Sequence, residues 1–167
     1  MKKLNTVRLL NKVAALLVLS FVATASMCTK EDEYHHNTIR FINKSDVPVY
    51  IVADHSYPDT LNNRLGGMEY QPQIYKAYPN AENKDALQQR DYWEAVFKDG
   101  ISIKSDTLMV YVFDAKLLES HSTHINNTII QRYDLSLQDL QDANWTLTYP
   151  PSPNMKVIKM WPPYRNK

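Results

Sequence analysis

Apolar and polar positions change rhythm several times along the chain. Residues 13–25 are almost continuously apolar, interrupted only by Ser20 and Thr24. Residues 29–37 are polar and aperiodic. Alternation then sets in: Ile39 and Phe41 share one face of a strand over 38–42, and Val47, Val49 and Ile51 share one face of a second over 47–53. Asn43-Lys-Ser-Asp46 between them is turn chemistry, which predicts a hairpin. Pro48 cannot donate to a ladder, so this second strand is expected at an edge or beginning at a bulge. Repeated Pro, Gly, Asn and Asp over 54–83 predict a long loop with room for one short strand around Tyr70 to Ala77.

A helix is expected over Asp85 to Lys98, where Ala86, Trp93, Val96 and Phe97 fall on one face, Glu94 and Lys98 form an i,i+4 pair, and Gly100 ends it. Leu108 to Phe113 is continuously apolar, the pattern of a central strand covered on both faces. Strands are also expected over 128–133, 145–149 and 155–161. Between the first two, Ser136 as N-cap, Asp139 three residues on, and Leu135 against Leu140 mark a short helix from Leu137 to about Ala143. Five to seven short strands, two helices and no regular βαβ alternation give an α+β domain on an antiparallel sheet, with a β-sandwich carrying helical insertions as the alternative.

The apolar run over 13–25 is shorter than the about 20 residues a membrane span requires. Lys2, Lys3, Arg8 and Lys12 precede or begin it and no acid accompanies it, so residues 1–27 read as a secretory signal. Leaving them out removes four of the 19 basic residues and none of the 18 acidic ones, and the formal charge moves from +1 to −3. That balance leaves no basic patch for nucleic acid. The 140 residues that remain of the 167 suffice for one core without metal or disulfide. Overall, 44% hydrophobic and 22% charged residues exclude a disordered or collagen-like chain.

Ala23-Thr-Ala25 fits ordinary signal cleavage, whereas Ala25-Ser-Met-Cys28 resembles a lipobox whose cysteine becomes the lipidated first residue. Cys28 is the single cysteine of the chain and stands where a lipid would attach. The stretch Thr29-Lys-Glu-Asp-Glu33 resembles the acidic surface-export signal of Bacteroidetes lipoproteins. The expected layout is therefore a signal over 1–27, a lipidated Cys28 with an acidic tether over 28–37, and one folded domain over 38–167. A diacylglyceryl cysteine would hold such a domain on a membrane, each buried methylene adding about 0.8 kcal/mol.

Candidate chemistry is sparse. His35-His36, and Glu119 with His121 and His124, are the nearest approach to metal-ligand spacing, but adjacent histidines on a strand diverge and the second group lies in loop-like sequence; no metal or other cofactor is expected. Asp54, Asp59, Asp106, Asp114 and Asp134 fall near strand ends, as catalytic acids do, yet caps and turns account for such positions equally well. No Gly-x-Ser-x-Gly elbow occurs, and three glycines in all leave no phosphate-cradling loop. No catalytic residue is assigned. Aromatic residues suggest binding instead. Trp93 and Trp145 sit on core faces, while Tyr57, Trp161 and Tyr164, each near a proline, are candidates for an exposed binding patch. Asp59-Thr60-Leu61 resembles a Bacteroidetes O-glycosylation motif, which makes Thr60 a candidate acceptor.

The words Asn43-Lys-Ser-Asp-Val-Pro-Val-Tyr50, Ser105-Asp-Thr-Leu-Met-Val-Tyr-Val-Phe-Asp-Ala-Lys116, Gln131-Arg-Tyr-Asp-Leu-Ser-Leu-Gln-Asp-Leu140 and Met160-Trp-Pro-Pro-Tyr164 together resemble a family of small Bacteroides-type lipoproteins. The likeness implies lipidation at Cys28 and placement in the cell envelope, and it carries over no activity, cofactor or catalytic residue. Two functions are therefore expected as alternatives. One is a non-enzymatic, lipid-anchored domain at the outer membrane, facing outward, that contacts an envelope protein or a glycan. The other is a small envelope hydrolase or an accessory subunit of a nutrient-uptake complex.

Overall fold

The seven-residue strand Leu108–Asp114 has apolar side chains on both faces, and the rest of the structure is arranged to cover them. The computed structural model describes residues 31–59, 72–103, 105–120 and 124–165. The signal segment, Cys28, Thr60 and His121 lie outside the described residues. The chain divides into a unit over Met1–Asp32 and a unit over Glu33–Lys167, and every element below belongs to the second.

In chain order the strands are β1 (Arg40–Asn43), β2 (Val49–Asp54), β3 (Lys76–Ala77), β4 (Ala81–Asn83), β5 (Leu108–Asp114), β6 (Ile129–Leu135), β7 (Thr146–Tyr149) and β8 (Lys159–Trp161). Among the described residues, four short helices accompany them: α1 (Pro72–Tyr75), α2 (Trp93–Lys98), α3 (Ala115–Ser120) and α4 (Leu137–Asp142). The strands form a five-stranded antiparallel sheet, β3-β2-β5-β6-β8, and a three-stranded sheet, β4-β1-β7, in which β1 runs antiparallel to β4 and parallel to β7. The fold is α+β on a mainly antiparallel scaffold, neither sheet closing into a barrel.

Alternation divides the apolar residues between two clusters. Val49 and Ile51 of β2, Val110 and Val112 of β5, and Tyr133 and Leu135 of β6 pack with Phe41 of β1 and Leu147 of β7, so one core lies between the sheets. Trp93, Val96 and Phe97 of α2 plug into that core. The opposite face of the larger sheet presents Tyr50, Val52, Met109, Tyr111 and Phe113, covered in part by Tyr57, Tyr75 of α1 and Leu118 of α3. A strand hydrophobic on both faces is stable only when both are covered, and β5 takes the central place its sequence requires.

Ser136 caps α4 as its sequence predicts: its hydroxyl accepts from the Asp139 N–H, the Asp139 carboxylate accepts from the Ser136 N–H, and Leu135 and Leu140 are both fully buried. Gly100, at φ +63°, follows α2 in the left-handed conformation that ends helices.

Several expectations are corrected. β1 and β2 do not form a hairpin, because they belong to different sheets. The Asn43 side chain donates to Val47 O and Ala77 O and accepts from Ser45, turning residues 43–48 into a corner between the sheets. Pro48 marks no edge: β2 lies between β3 and β5, and the proline stands just before its first ladder residue. The helix expected from Asp85 is confined to Trp93–Lys98. Upstream of it, Asn83 Oδ1 accepts from the N–H groups of Asp85 and Ala86, and Leu87 O accepts from Ile39 N–H, so this backbone is stitched outward instead of coiling on itself. Glu94 takes His36 as its partner, with Nδ1 at 2.7 Å, in place of the expected Lys98. Of the strand expected around Tyr70 to Ala77, the first two positions lie outside the described residues, Pro72–Tyr75 form α1, and Lys76–Ala77 form β3. The last strand is shortened to Lys159–Trp161 behind a 3-10 turn at Pro153–Met155.

Candidate functional site

Two neighbourhoods meet at β8. On the outer face of the larger sheet, ladder register sets Val52, Tyr111, Arg132 and Trp161 in one row, and Asp54, Met109, Asp134 and Lys159 in the next. Asp134 is the anchor there. Its side chain is 1% exposed and sits between two cations, with Arg132 Nε 2.8 Å from one oxygen and Lys159 Nζ 3.4 Å from the other. The Arg132 Nε contact is an ion pair whose angle falls outside hydrogen-bond geometry; Nη2 donates to Oδ2 at 3.2 Å. Lys159 also donates to the Tyr57 hydroxyl at 2.9 Å and lies 5.1 Å from the centre of that ring. The Tyr57 bond, more than Asp134, holds the Lys159 ammonium above its ordinary pKa. Tyr111 is pushed up by burial, against the opposing influence of Arg132.

The second neighbourhood is a groove of about 630 Å³ between the end of β7 and the C-terminal segment. Ile130, Gln131, Tyr149, Tyr164 and Arg165 line it together with prolines of the two clusters that flank β8. Gln131 is buried at 5% exposure, and its Nε2 donates to Pro162 O at 3.0 Å. That bond seats the C-terminal segment against β6. Burial, with the Asp114 carboxylate adding to it, raises the Tyr149 hydroxyl above its ordinary pKa. The Tyr149–Pro150 and Trp161–Pro162 peptide bonds are cis.

The aromatic candidates from the sequence are thereby separated. Tyr57 and Trp161 belong to the sheet face; Tyr57 is half-buried under Lys159, and Trp161 is 56% exposed. Tyr164 is half-buried in the groove, which Trp161 does not line. Trp93 and Trp145 are buried as expected. Gln131, Tyr149 and Arg165 carry no motif and were not candidates; the only sequence hint was the pair of proline clusters, 150–153 and 162–163, on either side of one short strand.

His35, His36 and Glu119 have structural partners. His36 stacks on Trp145 at 4.3 Å between ring centres and pairs with Glu94, while His35 lies 4.6 Å from Tyr92, so these two histidines are docked on the fold. Glu119 accepts from Tyr50 and Lys76, and Lys76 holds its carboxyl below the ordinary range. Among the described residues no three His, Cys, Asp or Glu side chains are grouped to hold a metal. Asp54 and Asp134 share one sheet face with β5 between their strands, their backbones about 9.5 Å apart across the ladders. Asp54 accepts from Ser56 in a tight turn and Asp134 is committed to its cations. Neither is left as the general acid that a two-carboxylate hydrolase needs.

No helix among the described residues is long and apolar enough to cross a membrane. No protein-family model, curated protein or solved structure matches the chain.

Proposed function

We propose that the chain is an exported lipoprotein, anchored through Cys28 at the outer membrane with its folded domain outward, and that the domain binds a protein or glycan of the envelope. The groove beside Tyr149 and Tyr164 is the observation that carries the binding reading: it is concave, and it mixes ring faces with a few polar side chains, of which Gln131 is held by its bond to Pro162 O. The anchor reading rests on the sequence, through the short apolar run, the lone cysteine and the likeness to Bacteroides-type lipoproteins.

Affinity capture from intact cells tests this reading, using tagged full-length protein beside Tyr164→Ala and Cys28→Ala variants. The expected result is one stoichiometric protein or glycan partner, lost with Tyr164→Ala, and a shift of Cys28→Ala out of the envelope fraction. Empty captures, or equal distribution of both forms between fractions, would overturn it.

A further inference from the structure

The composition of the groove narrows the class of ligand. Five of its ten lining residues are proline, which has no N–H to donate. A peptide that docks as an added strand gains affinity at a protein surface chiefly through main-chain hydrogen bonds. This lining offers few partners for them. What it does offer is C–H and ring surface around a donor and an acceptor held in place.

Gln131 supplies the acceptor. With Nε2 committed to Pro162 O, its amide oxygen is turned away from that bond, and it makes no hydrogen bond to a described residue. Tyr149 supplies the donor, and the guanidinium of Arg165 adds donors at the exposed end. A pyranose ring has complementary surfaces: an apolar C–H face that packs on aromatic and proline rings, and an edge of hydroxyls that each donate and accept. The volume, about 630 Å³, is in the range of clefts for small organic ligands and suits a short stretch of sugar chain.

We infer that this groove is a glycan-binding site, taking a neutral oligosaccharide with a ring face on Tyr164 and adjacent hydroxyls on Gln131 and Tyr149. The inference rests on the reading of the domain as a binding module and names its ligand class. Binding is non-covalent and leaves the sugar unchanged.

Titration calorimetry of the full-length protein in detergent tests it, against gluco-, manno- and xylo-oligosaccharides of tetra- to hexasaccharide length and, separately, a polyproline peptide. At least one sugar is expected to bind. Tyr149→Phe, which removes one hydroxyl and keeps the ring, is expected to weaken that binding about tenfold. Tyr164→Ala is expected to weaken it at least as much, and Ile101→Ala, on a side chain 78% exposed outside the groove, to leave it unchanged. Failure of every sugar to bind, sugar binding indifferent to both tyrosines, or a polyproline peptide that binds where no sugar does would overturn the assignment. Should the sugars fail while the capture experiment still yields a Tyr164-dependent protein partner, the glycan assignment falls and the binding-module reading stands.

Discussion

The Asn43 side chain, at the end of β1, donates from Nδ2 to Ala77 O of β3 at 3.1 Å, so a single buried amide links the three-stranded sheet to the edge of the five-stranded one. Asn83 of β4 repeats the device, donating to Ile74 O and Lys76 O. Strands of different sheets share no ladder; at this edge side-chain amides take over the carbonyls that a ladder would have satisfied.

Asn43 also donates to Val47 O and accepts from Ser45, so Asn43→Ala takes a donor from the buried Ala77 carbonyl and releases the turn at Ser45 and Val47. The expected loss is about 3 kcal/mol in urea unfolding. Asn43→Asp keeps the acceptor but turns a carboxylate toward two carbonyls, and is expected to be at least as damaging at neutral pH. A loss below about 1 kcal/mol for both variants would show that the corner does not depend on this residue.

Asp134 should matter far more than the lysine that touches it. Asp134→Ala leaves Arg132 partly buried and uncompensated, at an expected cost of about 3 kcal/mol. Lys159, 68% exposed at its side chain, should be nearly neutral as Lys159→Ala. The double variant Arg132→Met/Asp134→Leu is expected to be more stable than Asp134→Ala alone, since it removes both charges. Equal effects from the two single variants in denaturant melts would contradict this account.

His55 should make the protein acid-sensitive. Burial holds its imidazole below the ordinary 6.5, against the smaller opposing pulls of Asp54, Ser102 and Asp99. The folded state therefore prefers the neutral ring. Between the folded pKa and the unfolded one, the unfolded chain binds more protons, so this contribution is complete above about pH 6.5 and is lost as pH falls toward the folded value. Urea midpoints measured near pH 7.5 and about pH 5.5 are expected to fall further for the native protein than for His55→Gln. Parallel falls would exclude this role for His55.

The sequence was most legible where a local signal coincided with burial. The unbroken apolar run of β5 announced its central place, and Ser136 with Asp139 marked the start of α4 to the residue. It was least legible where the partner of a group lies far along the chain. Nothing near Asn43 points to Ala77, and the apolar spacing of Ala86 and Trp93 fits a helix as well as the stitched loop that leads to one. The groove has the same cause, since Gln131, Tyr149 and Tyr164 come from three segments brought together only by the docking of the last one. Trp161 could be read as exposed, but not that its neighbours would be Arg132 and Lys159 in place of Tyr164.

The proposed anchoring of this domain through Cys28 is tested most directly by the intact mass of the protein isolated from cells. The expected result is an N-terminus at Cys28 with a mass increase matching a diacylglyceryl thioether. A free thiol at that position, in a chain that begins at Ser26 and is recovered from the soluble fraction, would contradict it.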